Sequence, residues 1–282
     1  MEQKIKFQPF FFIYLLILTI SVPNHIQAQP AAAADESIYH IRTIVLDPGH
    51  GGNKPGTVGK KSKEKDVVLD IALKLGKAIE KELPDVKVHF TRTTDVDVDI
   101  YKRTALANEK KADLFISIHC NAAPYRRVRQ GNRWVNAVNT GPRGTETLVL
   151  GYNYLGNQDA ALRENADILL EENFEENYQG FDPNDPESYI IFSLMRSQYR
   201  EQSIKLAAAI QKEFTNMGRV DRGVKEQKLA VLMNAGMPAI LTELGFLSNP
   251  EEEAYMLSEE GQDEIVKNLL DAIKTYKRQT ER

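Results

Sequence analysis

Short apolar runs alternating with longer amphipathic stretches between residues 41 and 280 predict an α/β domain, three layers deep, around a mixed sheet of about six strands. Two further features agree. The runs are short and rich in β-branched residues, as buried strands are. Three of them also deliver a polar side chain at or just beyond their carboxyl end, namely His50, His119 and Glu243. In open α/β sheets that edge is where ligands are usually held.

The chain opens differently. Lys4 and Lys6 precede an apolar run from Pro9 to Val22, and Ile26-Gln27-Ala28 offers small-residue cleavage after Ala28. Residues 1–28 therefore read as a secretory signal peptide, too short in its apolar part for a bilayer span. No cysteine stands near the cleavage point to carry a lipid. Residues 29–40, with four consecutive alanines ending at Ala34, read as a linker to a domain over 41–280. The formal net charge is −4, and loss of Glu2, Lys4 and Lys6 with the leader takes it to −5, which argues against nucleic acid as a partner. Cys120 is the only cysteine, so an exported chain has no internal disulfide and depends on packing.

Thr43 to Leu46 read as a first strand running into the turn-rich Asp47-Pro48-Gly49-His50-Gly51-Gly52. A glycine-rich loop follows, then a helix with Ser62 as its expected N-cap, Glu64 in its first turn, and Val67, Val68, Ile71, Leu75 and Ile79 on one stripe. Val86, Val88 and Phe90 alternate with polar residues in a second strand, and a short helix covers about Ile100 to Lys111. Leu114 to Ile118 form a third strand that ends in His119, and alternation turns Cys120 away from whatever His119 faces. Pro124 to Pro142 carries Arg126, Arg127, Arg129, Arg133 and Trp134 in an expected loop, either a clamp for an acidic ligand or a solvated surface.

Glu146 to Leu150 read as a strand and Gln158 to about Tyr178 as an acidic helix, broken by Gly180 to Ser188. A long helix is expected from about Tyr189 to Met217. Leu229 to Met233 and Ala239 to Glu243 read as the last two strands, and a closing amphipathic helix runs from about Glu251 to Tyr276.

His50, Glu64 and His119 offer two imidazoles and a carboxylate, a complement that suits catalytic zinc with a fourth position left for water. Glu243 could then move the proton of that water to a leaving amine. By spacing alone the set is dispersed, and Glu64 as a helix-start carboxylate or Glu243 as a solvated cap residue would be equally ordinary.

Five ordered motifs narrow the choice: Asp47 to Gly52, Glu64-Lys65-Asp66, Thr91-Arg92, Ser117 to Ala122, and Glu243 to Asn249. Together they resemble the zinc-dependent N-acetylmuramoyl-L-alanine amidases of the Amidase_3 group, over roughly Ile41 to Tyr276. The resemblance implies one domain with a six-stranded sheet, His50, Glu64 and His119 as ligands of a single zinc ion, and Glu243 as the catalytic general acid/base. It implies a peptidoglycan hydrolase that cleaves the amide between N-acetylmuramic acid and the L-alanine of the stem peptide. Cys120 departs from the alanine expected there.

The stretch from about 153 to 200 is longer than a minimal member needs and resembles the insertion of division-type members. Its implied role is autoinhibitory, with one glutamate, Glu164 as the first choice, taking the zinc position that water needs until a periplasmic activator protein releases it. An ordinary amphipathic surface helix is the plainer alternative. Two other readings of the whole chain stand beside the enzyme: a catalytically silent peptidoglycan-binding module of the same fold, and another exported zinc peptidase. The expected location is the periplasm of a Gram-negative envelope, as a soluble monomer.

Overall fold

The computed structural model describes residues 40–281 apart from 152–157, 179–180, 186 and 188–198. The expected leader, all of the linker except residue 40, and parts of the insertion lie outside the described residues.

Strands β1 (Thr43–Pro48), β2 (Lys87–Phe90) and β3 (Leu114–Asn121) are followed by a hairpin of β4 (Arg126–Gln130) and β5 (Arg133–Ala137). Strands β6 (Thr145–Leu150), β7 (Asp221–Gln227) and β8 (Ala239–Phe246) complete the set. The main sheet has six strands in the order β2-β1-β3-β8-β6-β7, and it is mixed because β6 runs antiparallel to β8 while the other pairs are parallel. Helices α1 (Glu64–Glu82), α5 (Arg200–Asn216) and α7 (Glu259–Thr280) pack on one face. Their apolar stripes close a core with Ile44, Leu46, Ile116, Ile118 and Ile240.

The opposite face is covered by α2 (Ile100–Glu109), α3 (Asp159–Asn165) and a 3-10 turn at Ala230–Leu232, around Val45, Phe115, Leu148 and Leu241. Three layers result. After β1 the chain crosses to β2 on one side, then returns to place β3 on the other. The crevice beyond the carboxyl ends of β1 and β3 is therefore a topological switch point, where an α/β sheet leaves room for a ligand.

Several local expectations are corrected. Leu229 to Met233 is not a strand: it holds the 3-10 turn, and the sixth strand is Asp221–Gln227. Apolarity there reports burial against α2 and α3, whereas a half-exposed edge strand carries polar residues. The arginine-rich loop is a two-stranded ribbon whose Arg129↔Trp134 and Val128↔Val135 pairs flank a turn at Gly131, which has φ +61°.

The acidic helix expected over 158–178 is α3, a 3-10 helix (Ala166–Leu170) and α4 (Phe174–Asn177), with left-handed backbone at Asn173. Of the long helix expected from Tyr189, the described part begins at Arg200. The closing helix is two, α6 (Pro250–Leu257) and α7, because Ser258 takes extended backbone and its hydroxyl caps Gly261 N–H. Ser62 is not the cap of α1: Lys63 takes that position, and the Ser62 hydroxyl donates to Glu253 instead.

Candidate metal centre

Two arginines build the wall of the crevice. Arg92 donates to the carbonyls of Pro48, Gly49 and Lys65, and Arg103 donates to those of Pro48, His50 and Val98 as well as to the Asp47 carboxylate. Burial pushes Asp47 up, but Arg103 and the Thr91 and Ser117 hydroxyls outweigh it and hold the carboxyl below its usual range. Asp47 is thus an anchor for the loop. It also lines a small cavity with His50, His119 and Glu164.

That loop turns at His50, which has left-handed backbone with φ 56°. Two glycines let the imidazoles come in. A Cβ on Gly49 would stand 2.3 Å from the His119 ring, and one on Gly56 would stand 2.5 Å from the His50 ring and 2.6 Å from Glu64 Oε2.

Glu64, the first residue of α1, is fully buried. Its Oε2 accepts from Thr57 N–H at 2.7 Å and its Oε1 from Cys120 N–H at 2.8 Å. Cys120 itself points into the core, its sulfur 3.7 Å from that of Met256, and burial with the nearby carboxylates keeps the thiol protonated. His119 and Glu243 are register partners on β3 and β8, and Glu243 is in turn paired with Glu146 on β6.

Four atoms converge. Glu64 Oε1 lies 3.2 Å from His50 Nε2 and 3.0 Å from His119 Nδ1, while Glu164 Oε2 lies 3.2 and 2.9 Å from the same two nitrogens. All four are buried and within 4.8 Å of one another. Two nitrogen and two oxygen donors around zinc at about 2.0–2.2 Å would have edges of about 3.3–3.6 Å, close to these separations. Among the described residues, His50 Nε2 and Glu164 Oε2 have no hydrogen-bond partner although both are buried. Such orphaned atoms aimed at a common centre fit a cation there. The other face of His50 is held by Asp167, whose Oδ2 is 2.8 Å from Nδ1, so that Nε2 presents its lone pair inward.

Charge follows the geometry. Burial pushes the His119 imidazole down, but Glu164 and Glu64 pull it up to about 9. Burial opposes His50 in the same way, and Glu64, Asp167 and Glu164 raise it well above the usual range. Glu64 and Glu164 are both held low, against burial, by these imidazoles, and Glu164 also by Arg163.

Arg163 spans two carboxylates, donating from Nε to Glu164 Oε1 and from Nη2 to Glu243 Oε1, each at 2.9 Å. Glu243 Oε2 is buried without a hydrogen-bond partner among the described residues. Burial, with Glu164 and Glu64 adding to it and Arg163 opposing, pushes the Glu243 carboxyl up to about 8.

His50, Glu64, His119 and Glu164 thus share one centre, and Glu243 stands beside it through Arg163. The sequence reading did not single out Arg163 or Asp167. Arg163 is the one basic residue between Gln158 and Glu187, next to Glu164, and Asp167 follows Glu164 by three positions, on the same side of a helical turn.

Fold and donor set together define an α/β domain with a metal-centre arrangement at its switch point. The chain belongs to the N-acetylmuramoyl-L-alanine amidase family Amidase_3, whose sequence profile matches residues 44–275. It is 34% identical over 238 residues, 83% of its own length, to N-acetylmuramoyl-L-alanine amidase AmiC of Escherichia coli O6:H1. It is 31% identical over 76% of its length to an endolysin of Bacillus phage SPP1. The chain spans 52% of the first relative and 58% of the second. Among solved structures it is similar to the N-acetylmuramoyl-L-alanine amidase of Clostridium difficile 630, with a TM-score of 0.58 and 28% identity, covering 84% of this chain and 97% of that one.

Proposed function

We propose that this chain is an exported, zinc-dependent peptidoglycan hydrolase that cuts the amide between the lactyl group of N-acetylmuramic acid and the L-alanine of the stem peptide. The observation that carries the proposal is the ring of four buried donor atoms with a fifth polar group, Glu243, one strand away. The names of the relatives supply the substrate class.

In this reading His50, Glu64 and His119 are the permanent ligands of one zinc ion. Bound there, zinc supplies a water with a pKa near about 7 and polarises the amide carbonyl. The Cys120 and Thr57 N–H groups orient Glu64, and Asp167 orients His50 while the segment that carries it is in place. Glu243 takes the proton of the attacking water and hands it to the departing L-alanine nitrogen, which leaves as an amine.

The described geometry supports a closed state. Glu164 sits where the attacking water has to bind, and Arg163 occupies the catalytic carboxylate, so one short segment engages both partners of the reaction. Release requires something that binds the segment better when it is away from the metal. A periplasmic activator protein is the proposed agent, and Leu169 and Leu170, 38% and 67% exposed on that segment, are where it would gain apolar contact. The proposed location, after cleavage of the expected leader, is the periplasm of a Gram-negative cell, with the chain acting as a monomer.

The test is release of soluble stem peptides from purified sacculi by the mature chain and by a form lacking residues 157–186. The expected result is slow release by the intact chain and fast release by the deletion, both with a free L-alanine amino terminus. Both should stop with a chelator and resume with zinc. A folded, zinc-loaded deletion that releases nothing would remove the enzymatic reading and leave a binding module; equal rates in the two forms would remove autoinhibition alone.

A further inference from the structure

The ribbon β4–β5 carries charge that nothing in the described structure uses. From Tyr125 to Arg143 there are five arginines and no acidic residue, in a chain of formal net charge −4. Among the described residues, none of Arg126, Arg127, Arg129 and Arg133 forms an ion pair, although acidic side chains pair with cations across much of the rest of the surface.

Register sorts the ribbon into two faces. Val128 and Val135 oppose each other and are half-buried, so their face turns toward the body of the protein. Alternation then puts Arg127, Arg129 and Trp134 together on the other face. All three are exposed, Trp134 at 61%, and the Arg127 guanidinium stands 5.7 Å from the centre of the Trp134 ring. An open aromatic ring flanked by two guanidinia that have no ion-pair partner among the described residues is a surface suited to a partner with flat apolar faces and free carboxylates.

Position gives the surface its partner. Tyr125 and Val138, the residues at the two feet of the ribbon, line a cleft of about 460 Å³ together with His50, Glu64 and Glu164. The ribbon therefore adjoins the cleft, and a polymer lying there and extending past Tyr125 or Val138 would come within reach of it.

We infer that the outward face of the ribbon is a second binding site for peptidoglycan. Trp134 stacks on a sugar ring, and Arg127 and Arg129 pair with free carboxylates of neighbouring stem peptides. The chemistry matches at both points: a flat ring covers the apolar face of a pyranose, and the guanidinium fork meets a carboxylate with two parallel hydrogen bonds. The inference rests on the reading of the cleft as a peptidoglycan-cleaving site. Its role would be to hold a strand at the cleft between cuts.

The experiment is co-sedimentation of the full mature chain with purified sacculi in the presence of a chelator, so that binding is read without cleavage. R127Q/R129Q and W134A are compared with R126Q/R133Q, which removes the same charge from the other face of the ribbon. Each outward-face variant should bind about tenfold more weakly, since each loses stacking or charge-paired contacts. R127Q/R129Q should also flatten the dependence on salt, and R126Q/R133Q should stay within about twofold of wild type. Circular dichroism of each variant excludes unfolding as the cause.

Equal loss in the inward and outward pairs would overturn the inference in favour of bulk charge. Unchanged binding by the outward variants would overturn it outright. Outward-face-dependent binding to phosphatidylglycerol vesicles, with none to sacculi, would reassign the surface to a membrane. Failure of the cleavage reading would appear separately, as sacculus binding that depends on the ribbon in a chain that never releases stem peptide when zinc-loaded and opened.

Discussion

Single residues carry the chemistry, and their contacts set what each substitution should do. Glu243→Gln keeps the side chain's shape and a hydrogen-bonding oxygen toward Arg163 but cannot take a proton. Hydrolysis by the opened enzyme should fall about 10²- to 10⁴-fold, with the zinc content measured by elemental analysis unchanged. A drop in zinc content would instead make Glu243 a ligand. Gly49→Ala is a sterically small change in a crowded place, since the new methyl would meet the His119 ring at 2.3 Å. It should cost about 1–3 kcal/mol of stability by overpacking, and zinc affinity should fall with it, as His119 Nδ1 is pushed off its common centre with Glu64 and Glu164. Calorimetry and a competitive zinc indicator would read the two effects.

At the scale of elements, α3 and the 3-10 helix that follows it directly carry Arg163, Glu164 and Asp167 together. Glu164→Ala should raise basal release of stem peptide at least about tenfold, because it empties the position water needs while Arg163 remains free to leave. No increase in a folded variant would mean that the segment, and not its carboxylate, is the block. The same segment shows what could be read from residue order and what could not. His50, His119 and Glu243 were legible because apolar runs lead into them, although β3 and β8 continue past His119 and Glu243 to Asn121 and Phe246, and alternation put Cys120 in the core. Glu64 was legible as a helix start and became a site residue through the motifs around it. Arg163 and Asp167 were not, because their partners lie 80 and 117 residues away and a charged side chain carries no direction of its own. Strand β7 was missed for a related reason. Its Asp-Arg-Gly-Val-Lys-Glu-Gln has the polarity of a loop, and it is a strand because β6 offers it a free edge.

On the proposed reading the whole molecule would link metal, protons and stability. Without metal, His119 binds a proton with a pKa raised to about 9 from an ordinary 6.5. A raised value stabilises the folded state fully below the unfolded pKa, and that stability is lost as pH rises from 6.5 through 9. The metal-free protein should therefore melt at a lower temperature at pH about 9.5 than at pH about 6.5. Zinc should reverse the trend, since protons and metal compete for the same nitrogen and apparent zinc affinity climbs over that interval. Melting curves with and without a chelator at the two pH values would check it; identical slopes in the two forms would exclude His119 as a shared site.

Among the described residues no helix is long and apolar enough to cross a membrane. The mixed sheet instead sets the layout, with β8 bringing Glu243 between His119 on one side and Glu146 on the other. Across this sheet Asp167 reaches His50 from the same short segment that brings in Glu164. A departure of that segment removes a blocking group and an orienting group together. On the proposed reading the opened state would grip its metal less firmly than the closed one, so an enzyme of this design would carry a clock: each release would start a countdown that ends with the segment back in place or the ion lost.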